Sequence, residues 1–130
     1  MIEDAKVVFV VDDDHSVRRG LERLLRTAGY RVTTFVSARD FLERADCAQA
    51  ACLVLDIRMP GQNGLDLYEA LLDGGYRIPT VFITGHADLL MAARAMKLGA
   101  VDFLPKVFDD EALLTAVRAA VDEPPPTAAS

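Results

Sequence analysis

The chain has 130 residues, of which 52% are hydrophobic and 26% are charged, a balance typical of one compact globular domain. Its net charge of −6 argues against direct binding of nucleic acid, because phosphate backbones are bound by clustered Lys and Arg. The sequence has neither a signal-peptide pattern nor an apolar run long enough to span a membrane, so we expect a cytoplasmic protein without a membrane partner.

The first strand and helix are predicted near the start of the chain. Val7 to Val11 is an apolar run rich in β-branched residues, which is typical of a strand buried on both faces of a parallel sheet. It ends at Asp12-Asp13-Asp14. The apolar residues from Val17 to Ala28 then recur at helical spacing, and Gly29 marks the end of that helix.

The same alternation continues through the second helix and third strand. Val32 to Phe35 predicts a strand, and Ser37-Ala38-Arg39-Asp40 resembles a capping box that opens a helix. Cys52 to Leu55 predicts another buried strand, which ends at Asp56. Cys47 and Cys52 lack CxxC spacing, and we interpret them as packing residues.

The second half of the chain repeats the pattern. The apolar residues from Leu65 to Leu72 predict a helix closed by Gly74-Gly75. The remaining predicted elements are the strand Thr80 to Ile83 with Thr84 at its end, a helix from about Asp88 to Leu98, the strand Val101 to Leu104, and a last helix capped by Asp109 or Asp110.

Five strands that alternate with five helices predict an open, doubly wound α/β fold with a parallel sheet, because parallel strands require right-handed crossover helices. We expect residues 1–122 to form this domain. Residues 123–130 contain three consecutive prolines and cannot continue the last helix, so they predict an extended linker. Two alternatives remain for this segment, a frayed C-terminus or a connection to a further domain.

Polar residues follow four of the predicted strands. Asp12 and Asp13 come after the first, Asp56 after the third, Thr84 after the fourth and Lys106 after the fifth. In open α/β sheets, ligands bind outside the carboxyl ends of the strands, where the strand order reverses. In the order 2-1-3-4-5 the reversal lies between the first and third strands, so we expect Asp13 and Asp56 to converge.

Carboxylates held this close repel one another unless a cation neutralises them. Mg²⁺ prefers oxygen ligands and is commonly shared between carboxylates and phosphate oxygens, so Asp12 and Asp13 predict a magnesium site. Asp56 is then the candidate nucleophile, which attacks phosphorus to give an acyl phosphate, with metal and Lys stabilising the charge. Singly, Thr84 is an ordinary loop hydroxyl and Lys106 an ordinary solvated charge. Asp14 is predicted to cap the following helix.

Four segments together resemble the receiver domain of bacterial two-component response regulators, over about Lys6 to Val121. They are Val10-Val11-Asp12-Asp13-Asp14, Leu55-Asp56-Ile57-Arg58-Met59-Pro60-Gly61 with Asn63-Gly64, Phe82-Ile83-Thr84-Gly85-His86, and Gly99-Ala100-Val101-Asp102-Phe103-Leu104-Pro105-Lys106. The wording of the last two is most similar to the FixJ-like subgroup. The resemblance implies a flavodoxin-like fold with strand order 2-1-3-4-5.

The resemblance also implies a function. A histidine kinase is expected to phosphorylate Asp56, with Mg²⁺ held by Asp12, Asp13, Asp56 and the backbone carbonyl of Arg58. Members of the FixJ-like subgroup usually join a receiver to a helix-turn-helix domain, which implies a DNA-binding output domain after the linker. The expected chemistry is limited to phosphorylation and dephosphorylation of the domain itself, and the domain is not expected to act as an enzyme on other substrates.

In this family a hydroxyl and an aromatic residue form a switch, and the matching residues here are Thr84 and Phe103. Phosphorylation is expected to draw the Thr84 hydroxyl toward the phosphoryl group and to turn the ring of Phe103 inward. The face that bears Phe103 would then promote a homodimer or release an output domain. Arg58 and His86 lie where the family tunes the lifetime of the phosphoryl group.

One departure from the family pattern concerns the lysine. The family reads Lys-Pro, whereas this chain reads Lys106-Val107, with Pro105 one position earlier. A cis bond before a residue other than proline costs about 2.5–4 kcal/mol, so we predict a trans Lys106-Val107 bond and a shifted loop. We expect Lys106 to reach Asp56 nonetheless, because its stem is flexible.

Two other functions compete with this interpretation. A phosphohydrolase with an aspartyl-phosphate intermediate would need a second acid near the nucleophile, but Arg58 stands two residues beyond Asp56. A flavin or nucleotide-binding module would need amide-lined turns for phosphate, and Asp12-Asp13-Asp14 offers the opposite charge.

Overall fold

The computed structural model describes residues 5–59, 61–85, 89–106 and 108–122. Within them lie five β-strands, five α-helices and one short 3-10 helix. In chain order they are β1 Val7–Val11, α1 His15–Thr27, β2 Arg31–Phe35, α2 Ala38–Arg44, the 3-10 helix Cys47–Gln49, β3 Ala50–Asp56, α3 Gly64–Asp73, β4 Thr80–Thr84, α4 Leu89–Lys97, β5 Asp102–Pro105 and α5 Asp110–Asp122. Each predicted strand is found, with bounds shifted by two residues at most.

The strands form one parallel sheet in the order β2-β1-β3-β4-β5, as predicted. The register aligns Val11 with Leu55, and Leu55 with Phe82. The carboxyl ends of β1, β3 and β4 therefore lie side by side. The strand order reverses between β1 and β3, so the crevice expected for a ligand opens beyond the ends of these two strands.

Burial along the strands explains why their sequences differ. β3 and β4 are central strands covered on both faces, and they are almost continuously apolar. β2 lies at an edge, and its Arg31 and Thr33 are exposed while Val32 and Phe35 are buried. Edge strands keep one side in solvent, so polar residues are tolerated there.

Two apolar cores cover the two faces of the sheet. On one face, Val8 and Val10 of β1 pack with Leu21 and Leu25 of α1 and with Val117 of α5. The opposite core contains residues of α2, α3 and α4 together with an aromatic cluster of edge-to-face rings, formed by Phe9, Phe35 and Phe41. Alternate residues of a strand point to opposite faces, which is why β1 contributes to both cores.

Local signals set the helix ends. Asp14 caps α1 by accepting hydrogen bonds from the amides of Ser16 and Val17 at 2.9 and 3.1 Å, as predicted. Ser37 caps α2 through the amide of Asp40 at 3.0 Å. In the usual capping box, the acidic side chain accepts from the amide of the capping residue itself. Here the Asp40 carboxylate accepts from the amide of Val36, one residue before the cap Ser37.

Cys47 and Cys52 are both free thiols, and Cys52 is buried in the core, where burial raises its pKa to about 12. No helix in the described ranges is long and apolar enough to cross a bilayer. The Lys106-Val107 bond, His86 and the linker 123–130 lie outside the described residues.

Candidate functional site

Three carboxylates meet at the carboxyl ends of β1 and β3, as the sequence predicts. Asp12 and Asp13 follow β1, and Asp56 is the last residue of β3. One oxygen from each lies within 4.8 Å of the others, close enough for the three to share a cation. Asp12 and Asp56 have no exposed surface, whereas Asp13 is exposed. The site is therefore a buried acidic pair with one acid at its mouth.

The two oxygens of Asp12 have different surroundings. Oδ1 accepts a hydrogen bond from the Asp14 amide at 2.8 Å and another from Lys106 Nζ at 3.3 Å. Oδ2 is buried and has no hydrogen-bond partner among the described residues. Burial raises the pKa of Asp12, although the Asp14 amide and Lys106 partly oppose the rise. A buried carboxylate oxygen without a partner is costly, and a hard divalent cation would satisfy it.

Asp56 is also held from two sides. Its Oδ2 accepts from Lys106 Nζ at 3.1 Å, and its Oδ1 accepts from the Arg58 amide at 3.2 Å. Burial, followed by the negative charge of Asp12, raises the pKa of Asp56 to about 6, against the opposing effect of Lys106. Near neutral pH the group is still mostly a carboxylate, which is the form that can attack phosphorus.

Lys106 connects the two buried acids. Its ammonium group lies 3.3 Å from Asp12 and 3.1 Å from Asp56, and its side chain is 21% exposed. Burial disfavours its charge, but the hydrogen bond to Asp56 and the charges of both acids outweigh that effect and raise the pKa of Lys106. Lys106 therefore reaches Asp56 as predicted, although Val107 stands where the family has proline. Its amide donates to the carbonyl of Thr84.

The predicted switch residues lie on neighbouring strands. Thr84 is the last residue of β4 and is 1% exposed. Phe103 of β5 is half-buried, pairs in register with Phe82, and packs against it with ring centroids 6.4 Å apart. Tyr68 of α3 stands edge-to-face on the other side of Phe82, at 5.3 Å. A line of three rings thus joins α3 to β5.

Of the two residues predicted to tune phosphoryl lifetime, only Arg58 lies among the described residues. Arg58 is exposed and follows β3 by two residues, so it lies at the mouth of the site. His86 falls outside the described residues.

The roles of two residues near the site were not predicted from the sequence. Gly64 opens α3 so close to β3 that an added Cβ would lie 2.1 Å from the Asp56 carbonyl oxygen. A glycine just after the helix-capping Asn63 was the available signal. Arg18 of α1 donates to the carbonyl of Asp12 at 2.8 Å, and no local pattern distinguishes it from the other arginines of that helix.

A cleft lies between α1 and the start of α5. Its volume is about 460 Å³, and Lys106 lies on its wall. Apolar side chains of Val17, Leu24 and Phe108 line much of the rest, while Gly20 leaves room on the α1 side. The cleft therefore shares Lys106 with the acidic site, since the same side chain contacts Asp56.

Comparisons with known proteins agree with this geometry. The family model for the response regulator receiver domain matches residues 8–118. The chain is 51% identical over 116 residues to nodulation protein W of Bradyrhizobium diazoefficiens, covering 89% of this chain and 51% of that protein. It is 46% identical over 114 residues to the transcriptional regulatory protein FixJ of Azorhizobium caulinodans, covering 88% of this chain and 54% of that protein.

A solved structure, FixJ-N, superposes with a TM-score of 0.83 at 36% identity, covering 95% of this chain and 99% of that chain. The chain spans about half the length of the curated relatives that it matches. The family match covers most of the chain, and the structure has the sheet order β2-β1-β3-β4-β5 with three acids at the ends of β1 and β3. The chain therefore belongs to the response regulator receiver domain family of two-component systems and is a receiver domain of the FixJ type.

Proposed function

We propose that Asp56 accepts a phosphoryl group from a histidine kinase in a reaction that requires Mg²⁺. The observation that carries the proposal is the arrangement around Asp56, a buried carboxylate 3.1 Å from the Lys106 ammonium group and within 4.8 Å of ligand oxygens of Asp12 and Asp13. Such a group is shielded from water, and positive charge is available beside it.

Four oxygen-bearing groups of the site are suited to bind the metal. Asp12, Asp13, Asp56 and the carbonyl of Arg58 would hold the metal. The buried Oδ2 of Asp12 fits that role because it has no hydrogen-bond partner among the described residues. When bound, Mg²⁺ supplies positive charge that lowers the repulsion between the acids and the incoming phosphoryl oxygens.

Transfer exchanges one bond for another. An oxygen of Asp56 attacks phosphorus, the bond from phosphorus to the kinase histidine breaks, and the imidazole leaves with that electron pair. Lys106 is already hydrogen-bonded to Asp56 and offsets the negative charge that the phosphoryl group brings. The domain changes only itself in this scheme and is a signalling domain without other substrates. Arg58 and His86 are proposed to set how soon water removes the phosphoryl group.

We propose that Thr84 and Phe103 transmit the effect of phosphorylation at Asp56 to the surface of the domain. The carbonyl of Thr84 accepts from the Lys106 amide, so the end of β4 and the loop bearing the lysine are joined directly. Phe103 contacts the core through Phe82, and a movement of its ring would alter the face made by α4, β5 and α5. A DNA-binding output domain beyond residues 123–130 would respond to that face, consistent with relatives about twice as long.

The test uses the whole chain with a small-molecule phosphodonor. In the presence of Mg²⁺ we expect intact-mass measurement to show one added phosphoryl group, which hydroxylamine removes as expected of an acyl phosphate. Asp56→Asn should abolish labelling, while Asp66→Asn, which removes an exposed acid on α3, should label as the native protein does. Equal labelling of the Asp56→Asn variant, or labelling that persists in EDTA, would show that the acceptor or the metal requirement is wrong.

A further inference from the structure

The turn between β1 and α1 carries two of the three acids of the site, and the direction of both depends on how its backbone is held. The Asp12 amide donates to the Phe35 carbonyl of the neighbouring strand at 3.2 Å. The Asp14 amide donates to Asp12 Oδ1 at 2.8 Å. These contacts hold the start of the turn and one carboxylate, but neither holds the peptide group between Asp12 and Asp13.

Arg18 holds that peptide group. Its Nη1 donates to the Asp12 carbonyl oxygen at 2.8 Å, from the first turns of the helix that the acids precede. The peptide unit is planar, so a contact that holds its oxygen restrains the positions of the Cα atoms of both Asp12 and Asp13. One hydrogen bond therefore acts on the backbone of the buried acid and of the exposed acid together.

The Arg18 side chain is itself fixed in place. It is half-buried, and its Nη2 lies 3.3 Å from Nδ1 of His15 on the same helix. A guanidinium group has donors but no acceptor, so His15 must be the acceptor in this contact. Arg19, the next residue, is exposed and lies instead along an outer groove with Glu22 and Arg23.

We propose that Arg18 is a positioning residue for the metal site, which acts by orienting the peptide group shared by Asp12 and Asp13. The proposal rests on the proposed function, because it assumes that these acids bind Mg²⁺. It goes further by assigning a role to a residue that lies outside the motifs of the site and bears the same charge as the metal.

The sign of the effect separates positioning from simple electrostatics. Removal of a positive charge beside an acidic site should by itself strengthen the binding of a cation. Loss of positioning should weaken it, and residues that orient metal ligands typically change affinity by about 10- to 100-fold. Because Arg18 holds a carbonyl and not a ligand oxygen, we expect the lower end, roughly a tenfold rise in the Kd for Mg²⁺.

The experiment titrates Mg²⁺ alone into the full chain and follows the amide signals of Asp13 and Asp14 by NMR. The variants are Arg18→Ala, Arg18→Lys and the control Arg19→Ala, which removes an equal charge one residue away. We expect weaker Mg²⁺ binding for Arg18→Ala, partial recovery for Arg18→Lys, and unchanged or slightly tighter binding for Arg19→Ala. Thermal unfolding of each variant in EDTA shows whether the fold is retained.

The outcomes separate the proposal from the function on which it rests. If the native chain binds Mg²⁺ and Arg18→Ala binds it as tightly as Arg19→Ala does, the positioning role is wrong and the metal site stands. If the native chain shows no response to Mg²⁺, the metal site itself is wrong and the role of Arg18 falls with it. If Arg18→Ala is unfolded, Arg18→Lys supplies the comparison, and an affinity equal to the native value would contradict the need for a guanidinium at this position.

Discussion

At the scale of single residues, the site is defined by charges that the fold forces together. Asp12 and Asp56 are both fully buried, and Lys106 lies between them. Burial is the first cause of the raised pKa of Asp56, and the charge of Asp12 is the second. These two causes can be separated, because one charge can be removed while the other groups keep their places.

We expect Asp12→Asn to lower the pKa of Asp56, from about 6 by roughly one pH unit, in the metal-free protein. The variant removes a neighbouring negative charge and leaves Lys106 to interact mainly with Asp56. Carboxyl-carbon NMR of labelled Asp56 measures the change. Asp13→Asn is the matched control, since Asp13 is exposed and is not among the causes of the raised value. An equal fall in both variants would mean that Asp12 has no special effect.

The raised pKa of Asp56 also predicts how metal-free stability depends on pH. The folded state holds the proton of Asp56 up to about pH 6, whereas the ordinary value is 3.8. The folded protein therefore binds more protons between these values, and its free energy of unfolding should fall as pH rises through them, by on the order of 3 kcal/mol. Hydrogen bonds from Arg44 lower the pKa of Asp40 to about 2. Asp40 therefore affects stability in the opposite sense, and only below about pH 4.

Urea unfolding in EDTA at several pH values between about 4 and 7 tests this expectation. Asp56→Asn should remove the part of the slope that Asp56 contributes, because the variant has no proton to lose there, and should leave the part from Asp12, whose pKa is also raised. Added Mg²⁺ should stabilise the native protein more as pH rises, since protons and metal compete for the same oxygens. A free energy of unfolding that is level from about pH 4 to 6 would contradict the burial argument.

At the scale of the elements, the start of α3 determines where the end of β3 can lie. The Gly64 amide donates to the Ile57 carbonyl at 2.9 Å, and Asn63 caps the helix through the Asp66 amide at 2.8 Å. The helix approaches the strand so closely that a side chain at residue 64 has no room. The position of the acceptor thus depends on a residue without a side chain.

We expect Gly64→Ala to destabilise the domain by about 2 kcal/mol or more, because its Cβ would meet the Asp56 carbonyl at 2.1 Å and the backbone would have to move. Gly20→Ala is the control. Gly20 lies within α1, and an added Cβ there meets nothing within 4 Å, so alanine should stabilise by about 0.5–1 kcal/mol. Thermal or urea unfolding gives both values. Similar effects of the two substitutions would rule out a close approach at Gly64.

At the scale of the whole molecule, signalling requires that a change at Asp56 alter a distant surface. The α4 helix carries Leu90, which is 80% exposed, and Met96, which is 45% exposed. Both are apolar and lie on the helix next to β5 and Phe103. Exposed apolar side chains on this helix are suited to contact a second copy of the domain or an output domain.

We expect a beryllofluoride mimic of the phosphoryl group, with Mg²⁺, to promote self-association through this face. Leu90→Ser should weaken the dimer by about tenfold or more, because burial of a leucine contributes about 1.5–3 kcal/mol. Tyr76→Ser is the control, since Tyr76 is 49% exposed but precedes β4, at the opposite end of the sheet from the acids. Sedimentation that gives the same mass with and without the mimic would confine the switch to control within one chain.

The sequence by itself determined the types of elements, the strand order expected of the family, and the residues at the strand ends. Buried strands and amphipathic helices are encoded by neighbouring residues, so Val7 to Val11 could be read directly from its apolar run. The carboxyl ends of parallel strands share one edge of the sheet, and the convergence of Asp12, Asp13 and Asp56 followed from that rule.

Only the tertiary structure decided how these residues interact. Lys106 contacts acids that lie 94 and 50 residues away in the chain, and its distances to them depend on the register of β1, β3 and β5. Contacts between different elements also produce three other features of the site. They are the raised pKa of Asp56, the hydrogen bond from Arg18 to the Asp12 carbonyl and the lack of space at Gly64. Each depends on the separation of groups that belong to different elements, and packing of the whole domain sets that separation.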